Sequence, residues 1–201
     1  MNKLPPVAVR AIEDAALEII AEHGMDPATR PQAAAHEAGH VVVAHATGRT
    51  VKSAKLLKRT DLGRVLWGGM TYHTTPGYEE PKLGLVSDDP AGAFQLAVNS
   101  LAGFFGEMMA GFDHPASSVD ERYYATSIAA ALDAVWGKPE GYVQLQIGEF
   151  CWNVISRNRQ QFDLVRTHLN RTGLLNRSDA RRMLTHVKCF DLNTVVGGRA
   201  P

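Results

Sequence analysis

Pro31-Gln-Ala-Ala-Ala-His-Glu-Ala-Gly-His-Val-Val-Val-Ala-His-Ala-Thr-Gly48 is the stretch around which the 201-residue chain is organised. Alanine and valine fill it, a proline stands at its first turn and a glycine at its end, so it reads as a buried helix. Within it His36, Glu37 and His40 form the pattern HExxH. Residues four apart stack on one helix face, so His36 and His40 can offer two imidazole nitrogens to one metal ion. Glu37, one residue past the first ligand, is placed to take a proton from a water activated by that metal. The same five letters arise by chance in unrelated helices. What carries the inference is the apolar setting, because a core helix rarely buries His, Glu and His without partners. Histidines at this spacing favour zinc with one position left open.

Composition narrows the setting. Lysine plus arginine and aspartate plus glutamate are each 21, so the formal charge is zero. No basic stripe suggests nucleic acid, and no polybasic segment suggests a membrane surface. The apolar run from Leu101 to Phe112 is interrupted by Glu107 and too short to span a bilayer. The first residues, Met-Asn-Lys-Leu-Pro-Pro, lack a hydrophobic signal core. Cys151 and Cys189 have no metal-ligand spacing and read as free thiols. The expectation is a cytoplasmic domain with neither nucleic-acid nor membrane partners.

Outward from the motif, Val7 to His23 has helical periodicity, with Gly24 as its stop. Thr50–Leu57 and Arg64–His73 read as strands, joined as a hairpin through Asp61-Leu-Gly63. Gly68 and Gly69 weaken the second strand and mark a bulge or the close approach of another backbone. Residues 74–88 read as a mobile loop. Helices follow over 90–112 and from Ser118 to Trp136, where Ser118 and Glu121 fit a capping box. A longer helical stretch runs from Pro139 to about Asn170, with a kink expected near Gly148 and a stop at Gly173. A short helix over Ser178–His186 precedes a Gly-rich tail expected to be disordered. The fold class is mainly α with a small β-sheet (α+β). Residues 1–30 are expected to form an N-terminal helix and connection, 31–188 the domain that carries the HExxH motif, and 189–201 the tail.

Two histidines do not hold a catalytic zinc; a third protein ligand is needed. A third histidine six residues after His40 is excluded, because Ala46 stands there. His45 falls roughly opposite the ligand face, and His73 and His114 are lone histidines. Glu79 and Glu80 lie in the loop, while Asp120 and Glu121 open a helix, where backbone N–H groups hold a carboxylate ionised. Residue chemistry alone leaves these acids as alternatives.

Several pieces, in order, resemble the peptidase domain of the FtsH-type ATP-dependent zinc metalloproteases. They are Ala35-His-Glu-Ala-Gly-His-Val-Val-Val43, then Val51-Lys-Ser-Ala-Lys-Leu-Leu57 with Gly68-Gly-Met-Thr-Tyr72, and Leu101-Ala-Gly-Phe-Phe-Gly-Glu-Met-Met-Ala-Gly111. Ala125-Thr126 with Ile128-Ala129 is similar to the family's aspartate helix, and the helices after Pro139 resemble its C-terminal part. The resemblance covers roughly residues 30–186, and HEAGH is its specific part. It implies an FtsH peptidase-domain-like helical zincin with zinc as cofactor and Glu37 as catalytic base. The family's third ligand is an aspartate four residues before the Ala-Thr pair. Counting without a gap lands on Glu121, and matching Ser-x-Asp lands on Asp120. Glu121 is preferred, because an insertion inside a packed helix would rotate later side chains by about 100°.

The chain contains no G-x-x-x-x-G-K-[ST] phosphate loop and no spanning segment. The expected activity is therefore ATP-independent hydrolysis of peptides or unfolded protein, with a separate ATPase or adaptor as a partner for other substrates. Gly68, Gly69, Met70 and Thr71 are expected to bind substrate by strand-edge pairing. Two alternatives come from other classes: an inactive zinc-binding module acting by protein contact, and a helical interaction domain in which HEAGH is accidental.

Overall fold

The computed structural model describes residues 28–61, 64–74, 86–112 and 119–190. The expected helix at Val7–His23, most of the 74–88 loop with Glu79 and Glu80, His114, Ser118 and residues 191–201 lie outside the described residues, as do the side chains of Val119 and Asp120.

The central element is α1, Arg30–Ala46. The Thr29 side chain accepts a hydrogen bond from the Gln32 N–H at its start, and a proline occupies its first turn. Thirteen of its 17 residues are buried, so it has no solvent face of the usual amphipathic kind. It packs against both long strands and three of the other helices. Small side chains make that possible. At Gly39 an added Cβ would overlap the Ala102 carbonyl, and at Gly106 it would overlap the Ala35 carbonyl. Two helix backbones therefore cross in near contact.

The partner in that crossing is α2, Pro90–Met109, capped by the Asp89 carboxylate on the Gly92 N–H at 2.9 Å. Beyond it come α3 (Val119–Trp136), α4 (Tyr142–Arg157), α5 (Arg159–Thr172) and α6 (Arg177–Met183). Strands β1 (Thr50–Asp61) and β2 (Arg64–Thr74) form the expected hairpin, antiparallel from Asp61↔Arg64 to Thr50↔Thr74, with an irregularity between Val51 and Ser53. A two-residue strand β3, Leu174–Leu175, pairs with β1 at Ala54 and Lys55, giving the order β2-β1-β3. The fold is mainly helical with a small antiparallel sheet. Phe94, Leu132, Ile147, Ile155, Phe162 and Leu169 are fully buried between the helices. Among the described residues, no helix is long and apolar enough to cross a membrane.

The expected helix with a kink near Gly148 is instead two helices divided at Asn158. Its side-chain amide donates to the Val154 and Lys188 carbonyls, and its Oδ1 accepts from the Lys188 N–H at 2.7 Å. Gly148 lies inside α4, where it makes room for the Phe105 ring, 3.2 Å from where its Cβ would be. Gly173 ends α5 at φ 75°, as a left-handed C-cap. The Phe190 N–H donates to the Ala46 carbonyl at 2.8 Å, holding the chain to α1 up to that residue.

Candidate metal centre

His36, Glu37 and His40 lie on the part of α1 enclosed by α2, β2 and the start of α3. His36 is buried in a notch over Gly103, where any Cβ would overlap its ring. Its Nδ1 lies 2.8 Å from Oε1 of Glu107, a fully buried residue whose Oε2 accepts from the Gln32 amide at 2.6 Å. His40 Nδ1 lies 2.8 Å from the Asn99 carbonyl, which can only accept, so that nitrogen carries a proton. When neutral, both imidazoles thus turn their Nε2 lone pairs inward, and these nitrogens are 3.0 Å apart. Outer groups that fix the tautomer in this way are the usual companions of metal-binding histidines.

Glu121 completes the group from the first turns of α3. Its Oε2 lies 3.1 Å from His36 Nε2, and its Oε1 lies 3.3 Å from His40 Nε2. The side chain is 38% exposed, yet Oε2 itself is buried and no donor meets it in hydrogen-bonding geometry. Two imidazole nitrogens and a carboxylate converging in this way call for positive charge, from protons on the histidines or from a metal ion. These ligand atoms all lie within 4.8 Å of one another, so one ion could be held by all three. Both carboxylate oxygens of Glu121 thus face the histidines, while Ser118, its expected partner in a capping box, lies outside the described residues.

The electrostatics have the same sign. Burial lowers the histidines and is the largest single effect, but the charge of Glu121, its hydrogen bonds and the charge of Glu37 together more than reverse it, with the Glu107 hydrogen bond adding to them at His36. His36 ends well above its ordinary value and His40 above it. Burial pushes Glu121 up, yet His40 and His36 together hold it far below the usual carboxylate range. The cluster takes up protons, and a cation would compete for the same lone pairs.

Glu37 is raised by burial, which the charges of His40 and His36 and a hydrogen bond only partly offset. That bond comes from Thr71, whose hydroxyl donates to Oε2 at 2.6 Å. Gly69, two residues earlier, lies flat against the Glu37 side chain, and a Cβ there would overlap it. The glycine expected to mark a close approach thus meets a side chain rather than a backbone. Met70 is exposed, and the space around Gly68 is open. The Trp67 N–H turns away from β1 to the Ala28 carbonyl at 3.1 Å. By alternation, Gly69 and Thr71 direct their backbone groups to that same outer edge.

The remaining candidates stand apart. His45 is half-buried and belongs to no metal-binding group among the described residues. His73 instead receives a hydrogen bond from Arg49. Gln32, Asn99, Glu107 and Arg49 were not singled out from the sequence as site residues. The one legible signal was Glu107, a lone acid in a run of apolar and small residues. No protein-family model and no curated protein matches the chain.

Proposed function

We propose that the chain is a zinc-dependent metalloendopeptidase related to the FtsH-type peptidase domains, with glutamate in place of the family's aspartate ligand. The observation that carries this reading is the convergence of His36 Nε2, His40 Nε2 and the Glu121 carboxylate beside a separately held acid, Glu37. A His₂Glu set is a known catalytic zinc environment. His36, His40 and Glu121 would hold the zinc, which would supply a Lewis acid able to acidify a water. Glu37, kept in place by Thr71 and Gly69, accepts the proton from that water and returns it to the leaving amine. Its raised affinity for protons suits both transfers.

The outer edge of β2 supports a peptide substrate. An extended segment paired with Gly69 and Thr71 would lie directly against the general base, and only unfolded chain can pair in this way. The exposed side of Glu121 leaves an approach to the centre. Free Cys151 and Cys189 fit a reducing compartment, and we place the protein in the cytoplasm.

The test is digestion of unfolded casein by zinc-loaded protein, with and without a chelator. Glu37→Gln is expected to retain one zinc per chain and lose cleavage by a factor on the order of 10²–10⁴, the range for general acid–base catalysis. Undiminished cleavage by that variant would overturn the mechanism. Zinc uptake without any cleavage would favour the non-catalytic module.

A further inference from the structure

His73 is a titratable side chain that the proposed hydrolysis does not use. It stands on β2 two residues beyond Thr71, so strand alternation places it on the same α1-facing side as Gly69 and Thr71. It is half-buried, and burial together with Arg49 and His40 pushes it down to about 4, leaving the ring neutral near pH 7. Arg49 lies just beyond the end of α1 and is buried, with its N–H on the Ala44 carbonyl at 2.8 Å. Its Nη1 is 3.2 Å from His73 Nδ1. A guanidinium only donates, so Nδ1 accepts and Nε2 carries the proton. The strand therefore displays a fixed N–H donor with a cation behind it.

The position relative to the reacting centre follows from strand geometry. Glu37 meets β2 at Gly69 and Thr71, so the bond to be cut in an edge-paired peptide lies opposite those residues. Same-face positions recur every two residues, about 7 Å along a strand, and directly opposite side chains approach to about 5 Å. The substrate side chain facing His73 is thus roughly one same-face step from the scissile bond. The Arg49 guanidinium on Nδ1 polarises the ring and strengthens Nε2–H as a donor, from which a carboxylate can accept.

We propose that His73, positioned by Arg49, forms a subsite selecting peptides with a carboxylate side chain about two residues from the cleaved bond. The inference rests on the peptidase reading above.

The test uses zinc-loaded protein and a set of unstructured peptides in which glutamate or alanine is placed at each position around one cleavage site. Glutamate at one fixed position should raise kcat/KM about tenfold over alanine, mainly through KM, as one charge-assisted hydrogen bond can. His73→Leu should flatten that ratio toward one, and His73→Gln, whose amide still donates, should keep part of it. Zinc content is measured alongside for each variant. Nitrogen-15 imidazole spectra of the wild-type protein should show His73 as the Nε2–H tautomer. Uniform cleavage by the wild type, a preference that survives His73→Leu, or an Nδ1–H tautomer would each overturn the subsite. Failure of the wild type to cut any peptide is a different result: it removes the hydrolase reading, and the subsite with it.

Discussion

Glu107 bears on the proposed metal centre without reaching it. One carboxyl oxygen meets His36 Nδ1 and the other accepts from Gln32, so His36 is held at the far end of its ring from the converging lone pairs. Glu107→Gln removes the negative charge and one of the two acceptor oxygens, so its new amide donor must face either His36 Nδ1–H or the Gln32 amide. Metal affinity is expected to fall about 10–100-fold, as for other groups that orient a histidine ligand. A competition titration against a fluorescent chelator would measure it. Glu37 is held independently by Thr71, so cleavage at saturating zinc should recover much of what is lost at limiting zinc. An affinity within twofold of wild type would show that Glu107 serves packing rather than orientation.

At the scale of elements, two glycines do separable jobs for the same centre. Gly103 on α2 leaves the notch for the His36 ring, whereas Gly69 on β2 lets the strand lie on Glu37. Gly103→Ala should displace a ligand and lower metal affinity and cleavage together. Gly69→Ala should disturb the base, lowering kcat with zinc content unchanged, and zinc analysis beside kinetics distinguishes the two. Equal effects of both substitutions on zinc content would contradict this division. The same elements show what the sequence made legible. HExxH spacing and the alternating hairpin are local patterns, and α1, β1 and β2 could be read from them. The division of α4 from α5 was hidden, because Asn158 ends the helix partly through Lys188, thirty residues later. Gly148 was read as a kink, although its purpose is room for Phe105, a residue on another helix. The third acid posed the same problem: two neighbouring carboxylates at a helix start look alike until α3 is docked. Of these, Glu121 faces the histidines, while the Asp120 side chain lies outside the described residues.

Across the molecule, the three proposed ligands come from α1 and α3, so an ion held by all of them would link those two helices. A ligand that binds only the folded state stabilises it by about 4 kcal/mol when present at a thousand times its Kd. The gain should depend on pH in a definite direction. His36 and His40 are raised above the ordinary 6.5, so in metal-free protein their stabilising contribution is full below 6.5 and lost as pH rises through their native values. Glu37, raised from 4.5, acts in the same sense, its contribution being lost as pH rises through its native value. Glu121 is depressed, so its contribution is present above 4.5 and lost as pH falls through its native value. The histidines and Glu121 together favour metal-free protein most between 4.5 and 6.5. Zinc competes with protons for both histidines and binds more tightly as they deprotonate. The rise in Tm on adding zinc should therefore be small near pH 5.5 and widen toward pH 8. Calorimetry of metal-free and zinc-loaded protein at both values measures it. A zinc-induced shift that is equal at the two pH values, or larger at pH 5.5, would exclude the histidine pair as the principal ligands.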